Sequence, residues 1–236
     1  MPALTLGFIV NPLAGLGGSR GLKGSDGAEL RSLAMTLSPT EKQRSNERAA
    51  RAMQCLCTIE HVSILTWGGA MGGDLCASLG LSHRNVGQHD ATLSAAADTR
   101  LAAEAIMAVG VDVLVFVGGD GTARDIFDVV GDSFPVLGVP AGVKMHSGVF
   151  AVSPEAAGEL LKELAMGGLV GLRRQEVRDI DEDAFRHDQV RSRFYGDMQV
   201  PGEGRYLQHT KVGGRESQEL VAADIAAWVT EQLDQG

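Results

Sequence analysis

The stretch VDVLVFVGGDGT, residues 111–122, decides the fold class. Its first seven residues are almost continuously apolar and rich in valine, which is typical of a parallel strand buried on both faces. The glycines that follow predict a tight turn, and residues 123–130 have the pattern of a helix. A second apolar run, residues 134–139, ends at a Pro-Ala-Gly turn. Strand, helix and strand in this order predict a parallel sheet with crossover helices.

The residues on either side extend this pattern. Upstream, residues 4–10 and 62–66 predict strands, residues 47–58 predict a helix, and a helix over 100–109 is expected to take Asp98 or Thr99 as its N-cap. Downstream of Gly168, the runs 169–180 and 194–201 alternate apolar and polar residues, as antiparallel strands with one wet face do. We therefore predict an α/β fold with a doubly wound parallel sheet.

We predict two domains. Residues 1–168 form an α/β nucleotide-binding domain that carries the GGDGT motif, and residues 169–236 form a partial β-rich domain that ends in a helix near 217–233. The apolar stripe of that last helix includes Trp228.

Glycine is the unusual component of the composition. The chain has 31 glycines in 236 residues, roughly twice the average share of about 7%. Many of them follow predicted strands, at residues 11–18, 68–73, 118–122 and 140–142. Because ligands of open parallel sheets bind beyond the carboxyl ends of the strands, we expect these turns to border a ligand site.

Charge and cysteine content exclude several classes of partner. A net charge of −9 and a pI near 5.1 disfavour nucleic acid and anionic membranes as partners. The first apolar run is too short to span a bilayer, and no basic residues precede it. Three cysteines without a CxxC pair fit a reduced, cytoplasmic protein, and six dispersed histidines predict no zinc site.

The turn at residues 118–122 has a physical basis for binding phosphate. Glycines after a strand bring backbone N–H groups close to a ligand, and the N-terminus of the next helix adds positive potential. Asp120 then stands at the mouth of the cleft. The alternative interpretation is a tight turn in which Asp120 caps the helix.

The same motif is the signature of the superfamily of NAD kinases, diacylglycerol kinases and phosphofructokinase-like proteins. The sequence also contains NPLAG at 11–15, LKG at 22–24, Asp98-Thr99, PAGVKMHS at 140–147 and RDIDE at 178–182. With these motifs it resembles the bacterial ATP-NAD kinase-like family, which includes proteins associated with acetoin catabolism. The resemblance implies an NAD kinase-like fold with ATP and its acceptor between two domains.

The resemblance also implies roles for individual residues. Asp120 would deprotonate the acceptor hydroxyl, which is the ribose 2′-OH if the acceptor is NAD and the product NADP. ATP chemistry implies Mg²⁺. The residues implied in nucleotide binding are Asn11, Gly118, Gly119, Gly121 and Thr122.

The motif at 140–147 contains three further polar residues, Lys144, His146 and Ser147. Lys144 either meets a phosphate or is a solvated lysine at a helix start. His146 and Ser147 lack the G-x-S-x-G context of a hydrolase and are assigned to packing or capping.

The pair Arg178 and Asp179 both supports and departs from this pattern. In NAD kinases, an Asn-Glu or Asn-Asp pair in the second domain contacts the dinucleotide. Asp179 stands in the acidic place and is assigned to nucleotide binding, whereas Arg178 stands where Asn would be. This departure opens the alternative of a kinase for another hydroxylated metabolite. The acidic residues 179 and 181–183 lack the spacing of a calcium loop, which favours a solvated cap over a cation site.

Chain length leads to a third interpretation. Relatives of this kind usually continue well beyond residues 211–216, so we expect a C-terminally short member. Such a chain is expected to form homo-oligomers or to need a complementing subunit, and a non-catalytic nucleotide-binding subunit is the remaining alternative.

Overall fold

The computed structural model describes residues 4–15, 39–88, 94–142, 145–168, 170–180, 192–202 and 206–208. Several sequence predictions lie outside these residues: the motif at 22–24, Lys144, the acidic residues 181–183, the region 211–216 and the helix near 217–233. In the described part of the chain, no helix is both long enough and apolar enough to cross a membrane.

Five strands form one parallel sheet. They are β1 (Leu4–Val10), β2 (Val62–Gly68), β3 (His83–Gln88), β4 (Val113–Gly118) and β5 (Val136–Pro140). Their spatial order is β3-β2-β1-β4-β5, and every adjacent pair is parallel. The chain runs outward from β1 to β3 and then returns to the other side of β1. The strand order therefore reverses between β1 and β4, as in a doubly wound sheet.

Five α-helices are described. They are α1 (Pro39–Met53), α2 (Gly73–Ser78), α3 (Ala96–Val109), α4 (Asp120–Val130) and α5 (Pro154–Ala165). α1 packs against α5, and α3 packs against α4. Because crossover connections are right-handed, the helices that connect β1 to β3 lie on the opposite sheet face from those that connect β3 to β5. The sheet is thus covered on both faces, as its apolar central strands require.

The core lies around the central strands. Every residue of β4 is buried, as are the last five residues of β1. Phe116 of β4 meets Phe150 edge to face, with ring centroids 5.4 Å apart. Burial of this kind of apolar surface stabilises the fold by roughly 25 cal/mol per Å².

A small antiparallel sheet follows the parallel one. β6 (Leu172–Ile180) pairs with β7 (Ser192–Pro201), and the register shifts between Val177 and Arg178. Val177 and Met198 are buried against the main body. The combination of a covered parallel sheet and a small antiparallel sheet confirms the predicted fold class, whereas the domain boundary near residue 168 stays a prediction.

Two local predictions were wrong, and one strand was missed. The first helix begins at Pro39, eight residues before the predicted start, and its last predicted residues, Gln54–Thr58, form a 3₁₀ helix. The N-cap of α3 is Ala95, and Asp98 lies inside the first turn, where its carboxylate accepts a hydrogen bond from the Ala95 N–H at 2.6 Å. β3 was not predicted because its sequence, HRNVGQ, is polar and no residue of it is fully buried.

Arg51 of α1 and Glu155 of α5 form a surface ion pair. Burial alone would raise the pKa of the Glu155 carboxyl, but hydrogen bonding and charge from Arg51 outweigh it and lower that pKa. A carboxyl with a lowered pKa in the folded state stabilises the fold at neutral pH and loses that contribution as pH falls through the folded pKa.

Glu155→Gln is therefore expected to lower the free energy of unfolding by less than about 1 kcal/mol at pH 7, because both side chains are about half exposed. Urea titrations should show the gap to wild type narrowing as pH falls below about 4. A gap that stays constant with pH would contradict the role of the ionised pair.

Candidate active site

The carboxyl ends of β1 and β4 meet where the strand order reverses. Asn11, directly after β1, donates from its backbone N–H to the Val117 carbonyl at 2.9 Å. Its side-chain amide Nδ2 donates to the Thr122 hydroxyl, also at 2.9 Å. Asn11 Oδ1 accepts from the Leu13 N–H at 3.0 Å, which fixes the start of the first glycine loop. These bonds bring two of the predicted site residues, Asn11 and Thr122, into direct contact.

Asp120 is the first residue of α4, and its side chain is buried with 9% exposure. One carboxylate oxygen, Oδ2, accepts from the His146 N–H at 2.7 Å, and the other, Oδ1, accepts from the Ser147 N–H at 2.9 Å. No side-chain hydrogen bond caps α4 in the described structure. The carboxylate is thus aimed at the segment after β5, and the helix-cap interpretation was wrong.

The glycines of the motif have different surroundings. Gly118 is the last residue of β4, and a Cβ built on it would collide with the Thr122 side chain. Gly119 is the N-cap of α4 with φ −115°, and a Cβ there would meet no atom of the described residues within 4 Å, its two chain neighbours aside. Gly121 is the second residue of the helix. Packing therefore explains glycine at 118 but not at 119, where space is open beside the helix N-terminus.

Arg48 of α1 was not singled out in the sequence, yet it lies at the same sheet edge. Its guanidinium donates to the Pro140 carbonyl at the end of β5, at 3.2 Å, and the residue is only 8% exposed. Burial, with two neighbouring arginines of the same helix, lowers the pKa of Arg48 to about 10, so it remains charged at neutral pH. One turn earlier, the Ser45 hydroxyl donates to the Ala14 carbonyl at 2.8 Å.

Asp179 lies near α4 but contacts it one turn beyond Asp120. Its Oδ2 accepts from Arg124 at 3.1 Å, and its Oδ1 accepts from the Ile180 N–H at 2.8 Å. The Arg124 guanidinium also lies 5.5 Å from the centre of the Tyr195 ring, in cation–π geometry. The structure therefore places Asp179 in an ion pair with the helix that carries Asp120.

Arg178, the departure from the NAD kinase pattern, faces other groups. Its Nε donates to Glu176 at 2.6 Å, and its guanidinium lies 5.8 Å from the centre of the Phe194 ring. Its backbone, in contrast, is bound by Ser147: the hydroxyl accepts from the Arg178 N–H at 3.0 Å and donates to the Arg178 carbonyl at 2.7 Å. Ser147 is 1% exposed.

Two further predictions concern Lys144 and a metal site. Lys144 lies outside the described residues. Within the described ranges, no three His, Cys, Asp or Glu side chains group so that they could hold a metal ion.

Sequence reasoning missed Arg48, Arg124 and the bonding role of Ser147. For Arg48, the only signal was a charged residue four positions before the apolar Ala52, on the same face of the helix. The links from residue 147 to residue 178 and from residue 124 to residue 179 join distant parts of the chain, and no local pattern announces them.

Comparison with known protein families identifies the family of this chain. A family model described as ATP-NAD kinase N-terminal domain matches residues 6–169, which is more than half of the chain and includes the turn after β4. No curated protein and no solved structure is significantly similar to the chain. The chain therefore belongs to the family of ATP-NAD kinase N-terminal domains.

Proposed function

We propose that this protein is an ATP-dependent kinase that phosphorylates a hydroxyl group, with Asp120 as the general base and the ribose 2′-OH of NAD as the acceptor. The observation that supports this most strongly is the placement of Asp120. It is a buried carboxylate at the N-terminus of α4, beside the point where the strand order reverses, and two backbone N–H groups hold it in orientation.

The surroundings of Asp120 fit the phosphates of a nucleotide. Gly119 leaves open space next to the helix N-terminus, where N–H groups and the helix dipole favour an anion. The Asn11 amide and the Thr122 hydroxyl border the same turn, and Arg48 brings a positive charge to the sheet edge. We propose that Gly118, Gly121 and these groups form the nucleotide site.

Mg²⁺ would supply charge neutralisation at the phosphates when bound. It needs only one or two carboxylates when phosphate oxygens and water complete its shell. Asp120 is the acidic side chain of the described site that could contribute one, so the lack of a three-ligand cluster among the described residues is compatible with this requirement.

In the proposed reaction, the acceptor oxygen forms a bond to the γ-phosphorus, and the bond from that phosphorus to the β,γ-bridging oxygen breaks. ADP leaves, and the hydroxyl proton passes to Asp120. A carboxylate offers about four acceptor positions, so two N–H bonds do not by themselves exhaust it. Phosphoryl transfer needs mainly positioning and charge neutralisation, and a fixed carboxylate beside the hydroxyl supplies the base.

A second acceptor class has a specific observation in its favour. Asp179, the residue in the place of the dinucleotide-binding acid, is held by Arg124 and by a backbone N–H, and Arg178 is bound to Glu176. These contacts compete with the groups of a dinucleotide. A different hydroxylated metabolite, of the kind met in acetoin-type catabolism, is therefore the alternative acceptor, and Asp179 as a nucleotide contact remains a proposal.

The test is to incubate the purified chain with ATP, MgCl₂ and NAD and to measure ADP and NADP. Equal amounts of ADP and NADP are the expected result. ADP formed only with another hydroxylated acceptor would support the second function, whereas ATP binding without turnover would support a non-catalytic nucleotide-binding subunit.

Partners and location follow from the proposed chemistry. We propose small-molecule nucleotides as the ligands, with neither nucleic acid nor membrane as a partner, since the net charge of −9 opposes both. Cytoplasmic location and a homo-oligomer or complementing subunit are further proposals. Sedimentation of the purified chain measures the oligomeric state.

A further inference from the structure

The segment 146–148 lies between Asp120 and the free edge of β6. On one side, the backbone N–H groups of His146 and Ser147 donate to the two oxygens of Asp120, at 2.7 and 2.9 Å. On the other side, the N–H of Gly148 donates to the Glu176 carbonyl of β6 at 2.9 Å. The same three residues therefore contact both the carboxylate and the antiparallel sheet.

The Ser147 hydroxyl is the centre of this junction. It accepts from the N–H of Arg178 and donates to the carbonyl of the same residue, at 3.0 and 2.7 Å. A neighbouring strand would satisfy an edge residue in the same two-bond manner. Ser147 is 1% exposed, so removal of the hydroxyl would leave both backbone groups of Arg178 without this partner at a partly buried position.

We infer that Ser147 is a positioning residue that fixes the Asp120 carboxylate against the β6–β7 sheet. The hydroxyl holds the Ser147 backbone to β6, and the backbone of Ser147 and of its neighbour His146 in turn holds both carboxylate oxygens. Movement of β6 relative to α4 would thus change the direction of Asp120. The catalytic part of this inference rests on the proposed function, whereas the mechanical part does not.

The test compares Ser147→Ala with the matched control Ser153→Ala. The Ser153 hydroxyl also binds a backbone N–H, that of Ala156 at the start of α5, but it lies outside this junction. Hydrogen exchange by mass spectrometry should show the amides of residues 146–148 and 172–180 exchanging about tenfold faster in Ser147→Ala, the factor expected when two partly buried hydrogen bonds are lost. Exchange there should be unchanged in Ser153→Ala.

Steady-state kinetics with ATP, MgCl₂ and NAD provide the second readout. We expect Ser147→Ala to lower kcat by about tenfold, since small misplacements of a catalytic group are costly, with KM for ATP within about twofold. Ser153→Ala should keep the wild-type kcat. In an Asp120→Asn background, Ser147→Ala should lower kcat little further, because the group that it positions is gone.

Each outcome decides something. Unchanged exchange at residues 146–148 would overturn the inference, and so would faster exchange with wild-type kcat. An additive loss of kcat in the Asp120→Asn background would show that Ser147 acts through general stability instead. If the wild-type chain makes no ADP, the proposed function fails, and the exchange data still decide whether Ser147 holds the donors of Asp120 in place.

Discussion

Asp120→Asn is expected to lower kcat by about 10²- to 10⁴-fold, the usual contribution of a general base. The amide has the shape of the carboxylate but cannot take the hydroxyl proton. Because its NH₂ group cannot accept a hydrogen bond, it also loses one of the two bonds from His146 and Ser147. We therefore expect a folded protein with about 1–3 kcal/mol less stability. Steady-state kinetics and a urea titration measure the two effects.

Asp128→Asn is the matched control for this substitution. It removes the same charge from the same helix, but Asp128 is exposed on the surface of α4. Such a change is expected to alter stability by no more than about 0.5 kcal/mol and to leave kcat unchanged. A near-normal turnover in Asp120→Asn, or an equal loss in Asp128→Asn, would remove Asp120 from the mechanism.

The central strands of the sheet could be predicted because each has a recognisable local sequence pattern. β4 is a run of buried residues, half of them valine, that ends at Gly118, and β1 is an apolar run that is followed by Asn11 and Pro12. β3 could not be predicted in this way. Among the described strands it lies at the edge of the sheet and pairs with β2 alone, and its polar sequence carries neither a continuous apolar run nor a regular alternation.

In the candidate site, too, local sequence patterns predict some residues but not the contacts between distant segments. Asp120 and its glycines could be predicted because turn, strand and helix are adjacent in sequence, and Asn11 because it follows the neighbouring strand. The bonds that orient Asp120 come from the backbone of residues 146 and 147, and the Ser147 hydroxyl is in turn bonded to Arg178. Such contacts depend on how β6 packs on α4, which residue spacing alone does not encode.

Gly118→Ala is expected to disrupt the site through packing. The new Cβ would lie closer than 3.0 Å to three side-chain atoms of Thr122, a residue that is 2% exposed and cannot move into solvent. Overpacking of this kind costs about 1–3 kcal/mol. Displacement of Thr122 would also break its bond with Asn11 and shift the start of α4. A lower Tm together with weakened ATP binding by calorimetry is the expected result.

Gly119→Ala separates ligand space from protein packing. In the part of the chain that the structure describes, no atom beyond the two chain neighbours lies within 4 Å of the added Cβ, and φ −115° is ordinary for alanine. Because Gly119 is the N-cap of α4 and alanine is a poorer N-cap than glycine, the free energy of unfolding should fall by about 1 kcal/mol or less. If phosphates approach the backbone here, the added methyl group takes their place and affects the contacts of several N–H groups. We therefore expect the Kd for ATP to rise about tenfold or more, which is a loss of about 1.4 kcal/mol or more of binding free energy. An unchanged Kd would show that ATP does not occupy the space that the methyl group fills, and that its phosphates bind elsewhere.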